Sequence, residues 1–356
     1  MNLIDEVLRA PEFQKKPLVL VDIGAAGGVH PRWRRLAPWA IGVGFEPVAR
    51  DSEALECGPG HFRHWVLGRH LVTPDSLRTS ERLNLTRSPQ CSSTLNPNAG
   101  CLNRWAFADL FSVERTVSLP AKTLPAALAE HGIDYIDWLK CDTQGLDLAI
   151  YRSLPQAWRE QMSVFGCEPG LIDAYDSDDK VGVVLQAMDL EPFWLAEFRI
   201  GKAVKGSINR LTRALGKRGA AWARRLGPGA PAWANLCFVR EPLPSHAVMT
   251  RRTVLVAWLG STLIGQHGHA LERRALAPDR GRRAQRRGRA RDPRGRPAPG
   301  RAQRQPCAAG AGPLWPGHGG AARAAAVFGG VAPAHGPAPG LNATRGHGRS
   351  DRPTRG

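Results

Sequence analysis

Short apolar runs alternate with longer stretches of helical spacing over most of the first 240 residues, and each run ends at a turn. Five runs predict strands, at 17–24, 40–47, 62–68, 133–142 and 162–170. A helix and a strand are predicted within 180–199, and a closing strand at 234–241. Strands that alternate with helices form a parallel sheet covered on both faces. We therefore predict a doubly wound, Rossmann-like α/β fold with its ligand site at the carboxyl ends of the strands.

The composition divides the chain into three parts. Residues 1–16 predict an amphipathic N-terminal helix, and the α/β domain is predicted to span 17–240. Residues 245–356 carry 20 Arg, no Lys and four acidic residues, which accounts for most of the formal net charge of +18. A tail of Arg, Ala, Gly and Pro buries too little apolar surface to fold, so we predict that it is disordered. Such a tail can bind polyanions without specificity, or it is only a solvated extension or the product of a slipped reading frame.

Cysteine usage and the apolar segments bear on the compartment. The seven cysteines form no CxxC pair and no Cys/His ligand spacing, so neither a metal site nor a disulfide framework is predicted. The N-terminus has no long apolar region of the kind found in signal peptides. The apolar stretch 253–265 is too short to cross a bilayer. We expect a cytoplasmic protein.

Two segments interrupt the alternation of strands and helices. Residues 69–112 are polar and rich in turns, and they are expected to form a long loop that covers the sheet edge near the ligand. Residues 199–227 carry nine Lys or Arg and no acid, with apolar residues at steps of three and four. This pattern predicts a basic amphipathic helix. Its apolar stripe either packs on the sheet or contacts an anionic membrane or an acidic partner.

The sequence VDIGAAGG places Asp22 in the first strand and Gly24, Ala25 and Gly28 in the turn that follows. Glycine lets the backbone come close to a ligand in conformations that other residues resist. A dinucleotide-binding turn would read G-x-G-x-x-G, whereas this one reads G-A-A-G-G and has an acid beside it. A carboxylate there repels a pyrophosphate but attracts a sulfonium and an ammonium group. We predict S-adenosylmethionine as the cofactor, bound by these four residues.

Two further acids end later strands. Glu46 ends the second strand in GFEP, where a carboxylate can accept hydrogen bonds from both ribose hydroxyls. Asp142 ends the fourth strand in KCDTQG, and its side chain should reach the same crevice. It can hold the cofactor, position the acceptor or take the acceptor's proton, which makes it the predicted catalytic residue. Alternatively, Asp142 caps a helix that begins near Gln144.

The motifs VDIGAAGG, GFEP, CSSTLNPN at 91–98, the stretch from Lys122 that contains KCDTQG, and the late NLCFVR resemble, in this order, the FkbM-type methyltransferases. The resemblance covers about residues 17–240. It implies a class I methyltransferase sheet, S-adenosylmethionine as the methyl donor, and O-methylation of a hydroxyl on a sugar, glycan or small metabolite. It also implies that Asp22, Gly24 and Glu46 bind the cofactor and that Asp142 lies at the active crevice.

The chain departs from the family at one position of the motif. Many members have Glu where this chain has Gln144, which can only donate and accept hydrogen bonds. Gln144 and Ser93 are therefore predicted to contact the substrate, while Asp142, water or a histidine such as His30 must take the proton. His30 is better explained as a cap or a surface residue, and Asp147 stands where another acid is common in the family.

Two other classes of function are alternatives to a methyltransferase. A nicotinamide-dependent oxidoreductase is disfavoured by the G-A-A-G-G turn and by Asp22. A non-catalytic, methyltransferase-like binding protein could use the basic tail to engage nucleic acid or another polyanion. The acids Asp22, Glu46 and Asp142 favour the enzyme, and no specific nucleic-acid site is predicted.

Overall fold

A computed structural model describes residues 3–25, 30–48, 61–241 and 249–276, and it contains a seven-stranded central sheet. The ten strands of the described residues are β1 Leu18–Ile23, β2 Ala40–Phe45, β3 His64–Gly68, β4 Leu71–Val72, β5 Ser80–Thr86, β6 Val113–Lys122, β7 Trp138–Cys141, β8 Val164–Cys167, β9 Phe193–Ala203 and β10 Ala230–Arg240. The central sheet has the order β3-β2-β1-β7-β8-β10-β9. Of its seven strands, β10 alone runs opposite in direction to the others. The predicted α/β architecture with a mostly parallel sheet is confirmed.

The helices of the described residues connect these strands and flank the sheet. They are α1 Leu3–Leu8, α2 Pro11–Lys15, α3 Ala99–Leu102, α4 Leu124–Ala129, α5 Asp147–Ser153, α6 Gln156–Gln161, α7 Val181–Met188, α8 Ile208–Leu226, α9 Arg251–Ile264 and α10 His267–Leu276. Short 3-10 helices lie at Pro31–Arg35, Ala37–Trp39, Pro89–Cys91 and Ala108–Phe111. None of the helices in the described ranges is long and apolar enough to cross a bilayer.

Both faces of the central sheet are buried, as the continuous apolar strands require. Side chains alternate between the faces along β1, so Val19 and Val21 belong to one core and Leu18 and Leu20 to the other. Helices α4, α5 and α7 cover the first face. Helices α1, α2 and α9 cover the second face. The sheet is thus sandwiched between two layers, and only its strand ends remain for a ligand.

The connection from β3 to β7 contains a second sheet that the sequence analysis missed. Strands β4, β6 and β5 pair in that order, with β5 antiparallel to β6 from Ser80↔Pro120 to Thr86↔Val113. The expectation of a long loop over 69–112 is therefore wrong for β4 and β5. Polar residues alternate with apolar ones on β5 and β6, because only one face of this small sheet packs on the protein.

Three predicted boundaries need correction. The N-terminal helix is two short helices, because the chain breaks before Pro11. The basic helix does not begin at 199, since β9 continues to Ala203 and pairs with β10. The predicted disordered tail from 245 is wrong for 251–276, where α9 buries nine residues on the second sheet face. The rest of that tail, 277–356, lies outside the described residues.

Arg252 of α9 makes contacts that fix this helix to the start of β1 and β7. Its guanidinium donates to both carboxylate oxygens of Asp137, at 2.6 and 3.0 Å, and to the backbone carbonyl of Pro17 at 2.8 Å. Asp137 is buried and also accepts from the backbone N–H of Val19 at 2.9 Å. Burial raises the pKa of Asp137, and Arg252 opposes that effect. Helix α9 is therefore an integral part of the domain.

Candidate functional site

A cavity of about 280 Å³ lies at the carboxyl ends of β1, β2 and β7. Gly24, Glu46 and Asp142 line it, and each directly follows one of these strands. Gln144 and Ser93 also line it. The predicted crevice at the strand ends therefore exists, and it brings together five of the residues that the sequence singled out. Gly28 lies outside the described residues.

Gly24 allows the first turn to pass directly beside Asp142. Its φ is +84°, in the left-handed region that favours glycine, and an added Cβ would overlap the carbonyl oxygen of Asp142. The N–H groups of Gly24 and Ala25 both donate to the carbonyl oxygen of Phe45, at 3.1 and 3.2 Å. Ala25 is buried and is not among the residues that line the cavity. The prediction that Ala25 contacts the cofactor is therefore not supported by its position.

Asp22 does not line the cavity that Glu46 and Asp142 share, which corrects its predicted role. It lies opposite Lys140 in the pairing of β1 with β7, and the Lys140 ammonium donates to its Oδ1 at 2.7 Å. Burial raises the pKa of Asp22, and Lys140 opposes that rise. The two charges largely compensate one another. Lys140 rather than Asp22 lines the cavity, so Asp22 acts on the site by fixing this lysine.

Glu46 lies beside the apolar wall of the cavity. Its Oε1 accepts from the backbone N–H of Val48 at 3.2 Å, which orients the carboxylate. The neighbouring wall is apolar, with Phe45, Leu71, Val72, Leu83 and Leu85. His70 also lines this part, and its buried Nε2 has no hydrogen-bond partner among the described residues. Burial lowers the pKa of His70, so its ring is neutral near pH 7 and can donate or accept a hydrogen bond.

Asp142 is held at the centre of the site by Gln144. The Gln144 Nε2 donates to Asp142 Oδ1 at 2.7 Å, and Lys140 Nζ lies 4.0 Å from Oδ2. Burial raises the pKa of Asp142. Asp142 does not cap the next helix, because α5 begins at Asp147 and has no side-chain cap at Leu146. The alternative explanation of Asp142 as a helix cap is therefore wrong.

Glu168 is a site residue that the sequence analysis missed. It follows β8 directly, and the parallel pairing of Lys140 with Gly166 puts it next to Asp142 at the strand ends. Burial raises the pKa of Glu168 to about 8, and the negative charges of Asp142 and Asp147 add to this effect. The pKa of Asp142 is raised as well, and two neighbouring carboxyl groups of this kind share one proton near neutral pH. The signal was present in the sequence, since CEPG ends its strand in the same way as GFEP ends β2.

Asp147 hydrogen-bonds to the chain after both β7 and β8, where Asp142 and Glu168 lie. Its Oδ1 accepts from the backbone N–H and the hydroxyl of Thr143, at 2.9 and 2.6 Å. Its Oδ2 accepts from the backbone N–H of Glu168 at 2.8 Å. Asp147 is buried and does not line the cavity, so it positions Asp142 and Glu168 without touching a ligand.

Gln144 and Ser93 form part of the support for Asp142. Gln144 has a φ of +57°, and its backbone carbonyl accepts from Ser93 Oγ at 2.8 Å. Ser93 Oγ in turn accepts from the backbone N–H of Leu95 at 3.1 Å. The hydroxyl of Tyr175 lies 3.2 Å from Gln144 Oε1. Both predicted substrate contacts lie at the cavity, but their polar atoms are already engaged in holding the loop after β7.

A second cavity, of about 470 Å³, adjoins the first. Asp142, Gln144 and Gln90 line both cavities, and Glu168 lines the second. Its walls are rich in aromatic side chains, namely Phe107, Phe111, Tyr175 and Trp233. Arg224 of α8 also lines it and donates to both carboxylate oxygens of Asp109, at 3.0 and 3.1 Å. Asp142 therefore lies where the two cavities meet. On one side is the cavity with Glu46 and the apolar wall, and on the other is the larger aromatic cavity, which Glu168 also lines.

His30 lies in a small third cavity of about 70 Å³, beside Lys140 and Glu168. Its Nδ1 accepts from the backbone N–H of Arg32 at 3.3 Å and so caps the following 3-10 helix. Burial lowers its pKa to about 4, and the charge of Arg32 adds to this. The expectation that His30 acts as a cap is confirmed.

We compared the chain with models of protein families, with curated proteins and with solved structures. None of the three comparisons found a match. The inferences on function below accordingly depend on the geometry of the two cavities and on the motifs of the sequence.

Proposed function

We propose that the protein is an S-adenosylmethionine-dependent O-methyltransferase. The observation that carries this proposal is the shared cavity at the strand ends, where Glu46 and Asp142 flank the left-handed Gly24. Ligands of open α/β sheets bind at this position. The resemblance of the motifs to FkbM-type methyltransferases points to the same cofactor, and the seven-stranded sheet is compatible with a methyltransferase sheet.

The first cavity has groups that suit each part of the cofactor. The apolar wall around Leu71 and Leu83, with His70 at its edge, suits the adenine ring. Glu46 suits the ribose, because a carboxylate accepts bonds from two hydroxyls. Asp142 suits the sulfonium and ammonium groups of the cofactor, because its carboxylate attracts positive charge. When bound, S-adenosylmethionine supplies a methyl group on a positively charged sulfur.

The negative charge that would attract the cofactor's cationic groups comes from the acids around Asp142 rather than from Asp22. Asp22 is compensated by Lys140, so its charge contributes little to the attraction of a cation. The pair Asp142 and Glu168 retains about one negative charge when it shares one proton. This charge lies where the two cavities meet, which is where a transferable methyl group would have to face its acceptor.

The acid pair also provides a place for the acceptor's proton. A hydroxyl must lose its proton as it attacks, and a carboxyl pair that holds one proton can accept another in this step. Gln144 keeps Asp142 in position through its amide N–H, and Asp147 fixes the backbone at Glu168. Alignment of the two reactants, with water excluded, is the remaining task of the protein. The aromatic second cavity suits a sugar or small metabolite that carries the hydroxyl.

The sheet order argues against the nicotinamide-dependent alternative. Counted along the chain, the central strands lie in the order 3-2-1-4-5-7-6, whereas the usual dinucleotide-binding order is 3-2-1-4-5-6 with all strands parallel. The G-A-A-G-G turn also lacks the glycine spacing of a pyrophosphate site. The other alternative, a non-catalytic protein that binds polyanions through its tail, depends on residues outside the described ranges.

Calorimetric titration of the full-length protein with S-adenosylmethionine tests the proposal. We expect saturable binding that Glu46→Gln weakens at least tenfold, or about 1.4 kcal/mol. The exposed Glu114 on β6 gives a matched control, and Glu114→Gln should leave the affinity unchanged. A folded wild-type protein that releases no heat, or equal affinities for both variants, would contradict the proposed cofactor site.

A further inference from the structure

The described molecule exposes an unusual combination of apolar and basic residues on α8. Trp222 is 67% exposed, Leu226 62% and Leu215 54%. The helix and the end of β9 before it carry nine Lys or Arg and no acid over residues 199–227. Soluble domains rarely leave a large aromatic residue and two leucines of one helix in water without a partner.

The inner side of this helix already has its contacts within the fold. Ala220 is buried, and Arg224 pairs with Asp109. Just before the helix, the carbonyl of Val204 accepts from the N–H of Ala106 at 3.0 Å, and Gly206 donates to the carbonyl of Arg104 at 2.9 Å. The apolar stripe is partly buried at Val204, Ile208 and Leu211 but exposed at Leu215, Trp222 and Leu226. The alternative in which the stripe packs on the sheet is therefore wrong for the second half of the helix.

The exposed side has the pattern of a helix that lies in a membrane interface. Gly216 breaks the helix, with a φ of +69°. In the second half, Arg218, Trp222 and Leu226 follow at intervals of four and share one face. Arg225 lies beside Trp222 on the next turn. Long basic side chains around Trp and Leu let the apolar groups enter the lipid boundary while the charges reach the headgroups.

We propose that α8 binds the surface of an anionic membrane. The charges match anionic headgroups, and the exposed Trp222 and Leu226 distinguish this occupant from a soluble polyanion, which would use the charges alone. Arg224 of α8, together with Lys202 and Val204 just before the helix, lines the aromatic cavity. Docking would therefore bring that cavity to the membrane. If the proposed methyl transfer holds, its acceptor hydroxyl belongs to a molecule held at the membrane.

Vesicle co-sedimentation of the full-length protein tests this inference. We expect binding to vesicles of phosphatidylcholine with added phosphatidylserine, and little binding to phosphatidylcholine alone. Trp222→Ser combined with Leu226→Ser should lower the partition coefficient at least about tenfold. The charge reversals Arg218→Glu and Arg225→Glu should do the same, and added salt should weaken binding of the wild type. Hydrogen exchange should show new protection in peptides from 208–227.

Matched controls separate the helix from the rest of the basic chain. Leu190 is 81% exposed on another surface, and Leu190→Ser should not change vesicle binding. Arg115→Glu removes an exposed positive charge from β6 and should have little effect. The tail is identical in all variants, so a difference between them reports on α8.

Three results would overturn the inference. Equal vesicle binding by the wild type and both α8 variants would place the lipid contact elsewhere. A second contrary result is that the charge reversals abolish vesicle binding and weaken binding to heparin to the same extent, while Trp222→Ser with Leu226→Ser changes neither. That result would indicate a polyanion site instead. Protection outside 208–227 would also contradict it. Titration with S-adenosylmethionine should be unchanged in all these variants, so failure of docking is distinguishable from failure of the proposed cofactor site.

Discussion

The substitution Glu168→Gln tests the shared proton of the acid pair without any ligand. Glu168 lies next to Asp142 at the ends of β8 and β7, and burial raises its pKa from 4.5 to about 8. An amide has nearly the shape of a protonated carboxyl group and is likewise uncharged. The variant therefore imitates the protonated form of Glu168 at every pH, and it removes the ionisation of this side chain.

The direction of the effect follows from the raised pKa. Between pH 4.5 and about 8, the native state keeps a proton on Glu168 that the unfolded state has lost. The free energy of unfolding of the wild type therefore falls as pH rises, by up to about 1.4 kcal/mol per pH unit for one proton. Over this range the free energy of unfolding falls by at most about 5 kcal/mol. The actual fall is smaller, because the protonation of Asp142 is coupled to that of Glu168.

Urea unfolding of the wild type and the variant across this pH range measures the difference. Glu168→Gln should gain stability relative to the wild type as pH rises, with most of the gain complete above pH 8. The exposed Glu114 serves as the control, and Glu114→Gln should leave the pH profile unchanged. A difference between Glu168→Gln and the wild type that does not depend on pH would refute the shared proton.

Two further substitutions test the scaffold by urea unfolding, each with a matched control. Gly24→Ala should lower the free energy of unfolding clearly more than Gly132→Ala, because both positions have positive φ but only the Cβ at position 24 meets backbone. The control Gly132→Ala should lose about 1–2 kcal/mol. Equal losses would contradict the close approach of Gly24 to Asp142. Arg252→Met should destabilise the protein by about 3–5 kcal/mol, since it leaves Asp137 charged and buried. Arg251→Met removes a more exposed ion pair and should cost about 1 kcal/mol or less, so similar losses for both would show that Arg252 is not needed for the fold.

Much of the central sheet could be predicted, because a buried parallel strand is a continuous apolar run that ends at a turn. The runs at 17–24 and 40–47 are apolar on both faces and end at turns, and β1 and β2 lie within them. Strands β5 and β6 were missed because each buries only one face of a small sheet, so polar and apolar residues mix. Helix α9 was missed for a different reason, because its apolar run is short and is followed by an Arg-rich segment that suggested disorder.

The residues that end the strands could be read from the sequence, because the end of an apolar run and the turn after it are local properties. That placed Gly24, Glu46 and Asp142 at one edge of a parallel sheet, where the structure brings them together. Which acids face the cavity depends on the pairing of the strands. Asp22 is turned to Lys140 by the register of β1 and β7, and the register of β7 and β8 puts Glu168 next to Asp142. These charge pairs form between residues more than 25 positions apart in the sequence, so no local sequence pattern predicts them.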